Sequence, residues 1–346
     1  MAGGRAEWAG SGGGLSNQGI IYPELVHLGM VETLQQNTDA FNAASLNTIR
    51  MVTNALQGDF AHESFFKTIA NLIRRRNVAS GSPGNEAVTP QEMSVDEFVS
   101  VKLNRGIGPV DQTLDSFRKL GMSADFEVIS FTLGEQIAKA VSVDSLDSGL
   151  RAVVGALLNQ AALNIDLGGA ASPQRTITTN DLVDTLAQFG DKASAVSMWV
   201  MHSKVFFDLV KQQITANIDG ISNFNVAQAS PVTLNRPVLV TDSAALVNTS
   251  SPNELTEYVT LGLVENAVVL QESEDTLIHT DIITGNENIV ARMQGEYAFN
   301  LGLKGFRWDV TNGGVNPTDA ALATGSNWDK AATADKDLAG VAIQTL

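Results

Sequence analysis

A chain of 346 residues with 44% hydrophobic side chains can fill one large domain or two medium lobes with a packed core, which excludes a disordered protein. Its 38 acidic and 22 basic side chains give a net charge of −16, which excludes a protein whose main task is to grip nucleic acid phosphates. No cysteine occurs, so disulfides, thiolate metal sites and cysteine nucleophiles are excluded as well.

The first 20 residues are rich in Gly and Ser, and we expect them to be mobile unless a partner orders them. They lack the apolar core of a signal peptide, and the chain has no run of about 18 apolar residues, so we expect a soluble protein that contacts no membrane. Residues 19 to 57 are predicted to pack, with these apolar positions on one helical stripe: Phe41, Leu46, Ile49, Met51, Val52 and Leu56.

Residues 58 to 108 form a long excursion. The stretch SFFKTIANLIRRRNV has helical spacing, but it is followed by the turn-rich ASGSPGNEAVTP. Whether residues 65 to 76 form helix or strand stays open. Val99, Val101 and Leu103 alternate with polar residues, which predicts a half-exposed strand. The excursion is therefore predicted to be two long arms around a turn, with a hairpin strand on its return limb.

Residues 126 to 161 carry two apolar stripes at helical spacing, one from Phe126 to Val141 and one from Leu146 to Ala161. As a single helix of about 40 residues they would make a rod of about 60 Å. Asp144 or Ser145 can alternatively cap a separate second helix, and both arrangements stay open.

The stretch from residue 181 to 213 predicts a helix, a turn, a buried strand and a second helix. Asp181 is expected to cap the first helix, and Gly190 supplies the left-handed residue that ends it. Residues 195 to 201 form an apolar run typical of a strand covered on both faces, with Trp199 in the core. Ser203 is expected to cap the second helix.

The remainder of the chain has mainly the pattern of strands. A short strand is predicted at Val238–Val240, and β structure is expected to continue to Trp308. Gly285 marks a turn before a strand around Ile289 to Leu303. The tail after Val310 is predicted to be a loop.

The sequence offers no pattern of catalytic or ligand-binding residues. His202 beside Ser203 lacks a G-x-S-x-G elbow, and the glycines at 106 and 108 lack the third glycine of a dinucleotide site. The chain has four histidines, His27, His62, His202 and His279. No two of them have the i, i+4 spacing that places two zinc ligands on one face of a helix. We therefore expect no enzymatic activity, no cofactor and no metal.

Basic side chains provide the candidate contacts with other copies of the chain. Arg74, Arg75 and Arg76 form the one dense group of cations, and we predict that they meet carboxylates of a neighbouring subunit. Lys102 and Arg105, on the return limb of the excursion, are further candidates for contacts between subunits.

The order of these parts resembles a known family. The segment FGDKASAVSMWVMHSKVFFDLVKQQ, with EFVSVKLNRGIGPVDQTLDSFRK before it and ARMQGEYAFNLGLKGFRWD after it, resembles major capsid proteins of tailed bacteriophages that have the Hong Kong 97-type fold. The resemblance spans about residues 40 to 335 and is strongest from 189 to 213, around a W-V-M-H-S-K-V strand-to-helix signature.

The resemblance implies an α+β, Hong Kong 97-like capsid fold in five parts. These are an N-terminal arm (1–57), an extended loop or E-loop (58–108), a peripheral domain with a long spine helix (109–170), an axial domain (171–255), and a β-rich return that completes both domains (256–346). The implied function is a coat protein that self-assembles into hexamers and pentamers of an icosahedral head enclosing double-stranded DNA.

The resemblance also implies the partners and the location. We expect other copies of the chain, a portal protein, a separate scaffolding protein and, where one is used, a cement or decoration protein. Packaged DNA is expected to be contacted only non-specifically, in a virion shell assembled in the bacterial host cytoplasm. The alternatives are an encapsulin-like compartment that encloses protein cargo and, ranked below it, a soluble α/β enzyme.

Overall fold

The computed structural model of the protein describes most of the chain. The described residues are 23–52, 58–67, 69, 72–74, 89–113, 126–168, 175–219, 233–234, 236–248, 256–285 and 287–346. Within them, long helices and two multi-stranded sheets occur in mixed order, which confirms the predicted α+β class.

The helices and strands have the following bounds. The α-helices are α1 (Pro23–Ala44), α2 (Phe126–Leu158), α3 (Thr179–Ala187), α4 (Ser203–Asp219), α5 (Val310–Gly313) and α6 (Asp319–Ala323). Short 3₁₀ helices lie at Gly190–Ala195, Ala244–Leu246, Gly325–Asn327 and Asp335–Asp337. The strands are β1 (Ile49–Val52), β2 (Phe60–Phe66), β3 (Val95–Thr113), β4 (Asn164–Asp166), β5 (Val196–Met201), β6 (Val238–Val240), β7 (Val247–Asn248), β8 (Glu257–Val264), β9 (Val268–Ile283), β10 (Val290–Leu303), β11 (Phe306–Trp308), β12 (Trp328–Lys330) and β13 (Gly340–Thr345).

Two sheets organise these strands. The first sheet has the order β1-β9-β10-β3-β2, with β1 parallel to β9 and the other neighbours antiparallel. The second sheet has the order β4-β13-β8-β5-β6, with β7 beside β8. β11 and β12 form a separate antiparallel pair. Both sheets join strands far apart in sequence, so neither can form before most of the chain is present.

The rod predicted after residue 126 is one unbroken helix, α2. Its 33 residues span about 50 Å at about 1.5 Å per residue. Asp144, a candidate cap for a separate second helix, instead accepts a 2.8 Å hydrogen bond from the hydroxyl of Tyr297. The continuous alternative is therefore correct, and Asp144 serves a contact between the helix and β10.

The crossing of α1 and α2 depends on two glycines. A Cβ atom on Gly134 would lie 2.2 Å from the carbonyl oxygen of Val26, and one on Gly29 would lie 2.7 Å from that of Phe131. Because both Cβ atoms are absent, the two backbones approach closely and their side chains interlock. The buried side chains of this small core are Val26, Met30, Ile137, Ala138, Val141 and Met293.

The larger core surrounds the second half of α2 and extends through the second sheet. Nearly every side chain of α2 from Leu150 to Leu157 is buried, which is typical of a helix enclosed on all sides. Trp199, on β5, is fully buried as predicted. Its partner on β8 is Gly262, where a Cβ atom would lie 2.8 Å from the indole ring. Glycine at that position makes room for one of the three buried tryptophans of the core.

The start of α3 corrects the predicted cap. Thr178, not Asp181, is the N-cap residue; the Thr178 side chain accepts from the amide of Asp181, and the Asp181 carboxylate accepts from the amide of Thr178 at 2.8 Å. The prediction misplaced the cap by three residues because the capping box contains two residue types that favour N-caps. Gly190 has a φ of +55°, the left-handed conformation predicted for it.

The strand-to-helix step after β5 is present as predicted, but the prediction that Ser203 caps the helix is wrong, because Ser203 is already its first residue. The strand ends at Met201, and α4 begins at Ser203. Nδ1 of His202, between them, accepts a 3.2 Å hydrogen bond from the amide of Lys204. His202 therefore supplies an acceptor to the first turn of the helix, a role expected for Ser203.

The segment before the excursion differs from the predicted helical stripe. α1 ends at Ala44, and Leu46 and Asn47 turn the chain with φ values of +51° and +54°. Residues Ile49–Val52 then form a strand beside β9. The helical spacing was misleading because pairing with a strand some 220 residues later, a contact that sequence spacing does not reveal, determines the local structure. Leu56 lies outside the described residues.

The predicted hairpin is present at the base of the excursion, since β2 pairs antiparallel with residues 95–101 of β3. Residues 65 and 66 are strand, whereas residues 69 and 72–74 belong to neither helix nor strand. The other positions from 68 to 76 lie outside the described residues.

The prediction of a loop after Val310 is wrong. The segment forms α5, α6, β12 and β13, and every residue of β13 is buried. β13 lies between β4 and β8, so both of its faces and both of its edges are covered. Its apolar run is only three residues long, Val341 to Ile343, and gives little signal without those distant partners.

Replacing Trp199 with Ala should cost about 3 to 5 kcal/mol of unfolding free energy, because it leaves a cavity between β5, β8 and their neighbours. Denaturant unfolding of the unassembled protein measures this. Phe207→Ala is the matched control, since Phe207 is an aromatic residue of the same lobe that is 65% exposed. Equal effects of the two substitutions would contradict the assigned core.

Replacing Gly134 with Ala should destabilise the protein, although helix propensity alone would favour the change by about 1 kcal/mol. The added methyl group would overlap the backbone of α1 at Val26. Gly149→Ala is the control in the same helix, since its Cβ atom would first meet a side-chain methyl group at 3.1 Å and should cost less. Thermal unfolding compares the two, and a more stable Gly134→Ala variant would refute the close crossing.

Candidate assembly surfaces

The base of the excursion is held by ion pairs around Asp96. Its carboxylate lies 2.6 Å from Nζ of Lys67 on the opposite arm and 3.1 Å from Nη1 of Arg307 on β11. Arg307 also lies 3.3 Å from Asp329 on β12. These contacts join both arms of the hairpin to the β11–β12 pair and fix the direction in which the hairpin leaves the first sheet.

The hydrogen bond from Lys67 is the largest influence on the pKa of Asp96, which is lowered from its usual value. Burial acts in the opposite direction, and the amide of Glu97 and the charge of Arg307 support the lowering. The Asp96 side chain is only 12% exposed, so its ionised form depends on these partners rather than on water. The hairpin base is therefore held by ion pairs as well as by the backbone hydrogen bonds between its two strands.

A second polar group joins β3 to α2. Arg105 donates hydrogen bonds from Nη2 to Ser148 at 2.9 Å and to Asp319 at 2.7 Å, and its Nε lies 3.2 Å from Asp144. Burial alone would lower the pKa of Arg105, but the hydrogen bond to Asp319 and the charge of Asp144 raise it. Burial and the bond to Asp144 likewise raise the pKa of Tyr297. The guanidinium thus stays charged among carboxylates of its own chain.

Lys102 spans the first sheet from β3 to β9. Its ammonium group contacts the carboxylate of Glu274, and the strand between them is β10. In the register of the sheet Lys102 pairs with Asn300, and Glu274 pairs with Ala298. The lysine stem therefore crosses over β10, and Lys102 is buried, contrary to the half-exposed strand predicted for this limb.

The structure describes three of the five predicted intersubunit cations, and two of these three contact carboxylates of their own chain. Arg74 is exposed, while Arg75 and Arg76 lie outside the described residues. Lys102 and Arg105 both contact carboxylates of the same chain. A role of these residues between subunits stays a prediction, and Arg74 is the one described member with an exposed side chain.

The excursion carries a set of exposed apolar side chains, here called the hairpin patch. Ile73 is 93% exposed, and Phe66 and Val95 are paired residues at the outer end of the hairpin. The patch consists of Phe66, Leu72, Ile73, Met93 and Val95. So many large apolar side chains on one excursion are typical of a surface that another molecule covers.

The lobe of the second sheet exposes three further apolar side chains. Val183 lies on α3, Phe207 on α4 and Val240 on the edge strand β6. They are single residues on separate elements, so they mark a weaker candidate surface than the hairpin patch.

No group of three or more His, Asp and Glu side chains is placed to hold a metal ion within the described ranges. His62 contacts Glu97 at 3.1 Å on the exposed hairpin, and Nε2 of His202 lies 3.7 Å from Asp242. No helix in the described part of the chain combines the length and the apolar character that a bilayer span requires.

Sequence reasoning missed the residues that position the hairpin. Asp96 and Arg307 are 211 positions apart, and Arg105 and Asp319 are 214 apart. No spacing rule links such pairs, because the folded sheets bring them together. Only the alternation in β3 gave a local signal, and it located the strand without identifying its ion pairs.

Comparisons with known proteins give one family and several solved structures. The profile of the Gp13-like family, described as "Major capsid protein 13-like", matches residues 20–342. The chain in the cyanophage Pam1 capsid asymmetric unit is similar with a TM-score of 0.52 at 11% identity, covering 86% of this chain and 88% of that chain. A chain of Mycobacterium phage Cain gives a TM-score of 0.48 at 14% identity, covering 80% of this chain and 87% of that chain. No curated protein matches the sequence.

Replacing Lys67 with Met should make the protein less stable near neutral pH and equally stable in acid. A carboxylate with a lowered folded-state pKa stabilises the fold above its unfolded pKa of about 4, and this stabilisation is lost as pH falls through the folded pKa. The difference in unfolding free energy between wild type and variant should therefore shrink from pH 6 towards pH 2. Lys67→Arg should retain the wild-type profile, and a difference that does not change with pH would contradict this role.

Proposed function

The chain belongs to the Gp13-like family of major capsid proteins, and from this we propose that its copies assemble as hexamers and pentamers of an icosahedral head that encloses double-stranded DNA. It is a phage capsid protein, with a fold shared with the Pam1 capsid chain. The family match covers nearly the whole chain, so the capsid function applies to the protein rather than to one segment of it.

The exposure of the hairpin patch is the observation that supports our proposal that the excursion forms contacts between subunits. In a monomer, the large apolar side chains of the hairpin patch would be exposed to water, and Ile73 is 93% exposed. The base of the same hairpin is fixed by Lys67, Asp96 and Arg307. A rigid base with an apolar outer part suits a projection that reaches over a neighbouring copy, where the patch is removed from water.

We assign the five parts by analogy with Hong Kong 97-type capsid proteins. Residues 1–57 would be the N-terminal arm, 58–108 the E-loop, 109–170 the peripheral domain, 171–255 the axial domain and 256–346 the β-rich return. The unbroken α2 supports the assignment of a spine helix. β3 runs continuously through the proposed boundary at 108, so the E-loop and the peripheral domain share a strand.

The remaining partners follow from the capsid function. We propose a portal protein, a separate scaffolding protein and, where one is used, a cement protein, in a shell assembled in the host cytoplasm. The net charge of −16 supports an inner surface that contacts packaged DNA without specific binding. Nothing in the comparisons favours the encapsulin-like compartment or the α/β enzyme.

Shortening the excursion tests its proposed role. The amide of Lys67 donates to the carbonyl of Ser94 at 2.9 Å, so an Asn-Gly turn can replace residues 68–93 without separating the two arms. The full-length protein should form uniform shells in negative-stain electron microscopy. The shortened variant should remain unassembled while keeping the far-ultraviolet circular dichroism of a folded chain.

The unfolding midpoint of the shortened protein controls for damage to the fold. Normal shells from the shortened variant would refute the role of the excursion. A full-length protein that stays a small, uniform particle under all assembly conditions would refute the proposed self-assembly.

A further inference from the structure

β1 is the terminal strand at one end of the first sheet, and it pairs with β9. In a parallel ladder alternate residues bond to the neighbouring strand, and the carbonyl of Thr48 accepts from the amide of Val268 at 3.2 Å. Arg50, two residues later, therefore faces β9 as well. Ile49 and Met51 consequently point their amide and carbonyl groups away from the sheet.

Side chains from the end of α1 and the turn after it occupy these outward groups. Nδ2 of Asn42 donates to the carbonyl of Met51 at 2.9 Å, and Oδ1 of Asn42 accepts from the amide of Met51 at 3.0 Å. These are the two hydrogen bonds that a residue of an antiparallel strand would exchange with Met51. The hydroxyl of Ser45 donates to the carbonyl of Ile49 at 3.3 Å. Asn42 therefore takes the place of a strand at this edge.

The turn between α1 and β1 holds Asn42 in this position. Leu46 and Asn47 have left-handed backbone conformations, which return the chain alongside the end of the helix. The amide of Asn47 donates to the carbonyl of Asn42 at 2.9 Å, and the hydroxyl of Thr48 donates to the carbonyl of Ser45 at 2.7 Å. The backbone and the side chain of Asn42 are thus both bonded to the segment that follows the helix.

The sequence of the strand indicates what an open edge would do. Residues 48–53, TIRMVT, are rich in β-branched side chains, contain no Pro or Gly and carry one charge. Segments of this kind pair readily with other copies when their backbone edge is free. Met51 and Val52 are only half-buried, so apolar surface lies beside the edge.

We propose that Asn42 determines the specificity of assembly by closing the β1 edge against β1 of a second copy of this chain. The edges of two copies are identical, so with the edge open they could pair antiparallel across a two-fold axis. This deepens the proposed function, on which it rests, by naming a residue that excludes an unproductive contact between copies. The same hydrogen bonds tie α1 to β1, and the experiments separate the two roles.

Substituting Asn42 with Ala removes both bonds to Met51 without disfavouring the helix. We expect unassembled Asn42→Ala protein to form larger species as its concentration rises in sedimentation velocity, at concentrations where the wild type forms none. In electron microscopy, the variant should lose uniform shells. Asn37→Ala is the matched control, since Asn37 is exposed on the same helix, and it should sediment and assemble as the wild type does.

Residue-resolved hydrogen exchange shows whether β1 forms the contact. In the wild type, the amide of Met51 should be protected at every concentration, because Asn42 bonds to it. In dilute Asn42→Ala protein this amide should exchange about tenfold faster, and it should become protected again as the larger species form. A mere tie between α1 and β1 would give the faster exchange without the return of protection.

Adding Met51→Pro to Asn42→Ala closes the edge by other means. The Met51 amide points away from β9, so proline removes no bond of the ladder, while it removes the donor of the open edge. The double variant should sediment as the wild type does, although it still lacks the tie between α1 and β1. Far-ultraviolet circular dichroism checks that it is folded, and the exchange experiment does not depend on it.

The outcomes separate this inference from the proposed function. If wild-type protein forms no shells, the proposed function fails, while the comparison of unassembled proteins still tests Asn42. An Asn42→Ala protein that sediments as the wild type does and forms uniform shells would overturn the role of Asn42 and leave self-assembly standing. Larger species in which the Met51 amide still exchanges quickly would overturn it as well.

Discussion

The packing of helix α2 against both cores is the constraint on which the rest of the structure depends. Its first half crosses α1 at Gly134 and forms the small core with β10, and its second half lies in the larger core shared with the second sheet. One rigid helix of 33 residues therefore fixes the position of the first sheet, which carries the hairpin, relative to the second sheet. The polar contacts of Arg105 with Asp144, Ser148 and Asp319 strengthen that relation at the point where β3 passes the helix.

The parts that could be predicted from sequence are those whose pattern is local. The helix, buried strand and helix between residues 179 and 219 are present, and the long rod is a single helix. The prediction failed where pairing with a distant strand determines the local structure. This is the case for β1, which pairs with β9, and for β13, which lies between β4 and β8. The same holds for the candidate assembly surfaces. The hairpin was predicted from the local alternation in β3. The ion pairs of Asp96 with Lys67 and Arg307 could not be predicted, because they form only when the sheets have folded. The bonds of the Asn42 side chain to the amide and carbonyl of Met51 on β1 also have no signal in the sequence, because they depend on where the strand after α1 lies.

The chain has two kinds of surface. In one, polar groups are paired with side chains of the same chain, and in the other, apolar side chains are exposed. At β1, at β11 and β12 and around Arg105, side chains of the same chain satisfy backbone groups and charges. On the excursion, the apolar side chains of the hairpin patch are left exposed around a fixed base. A protein that functions alone would leave this surface in water, whereas the proposed assembly would bury it against other copies of the chain. The family assignment and the physical character of the surface therefore agree.

The measurement that tests this account most directly is a cryo-electron microscopy reconstruction of shells formed by the unmodified chain, at a resolution that shows side chains. The account predicts that Phe66 and Val95, exposed in the single chain, are covered by a neighbouring copy, while the contacts of Asp96 with Lys67 and Arg307 are unchanged. A shell in which the hairpin patch faces solvent, with subunits joined only through other surfaces, would contradict it.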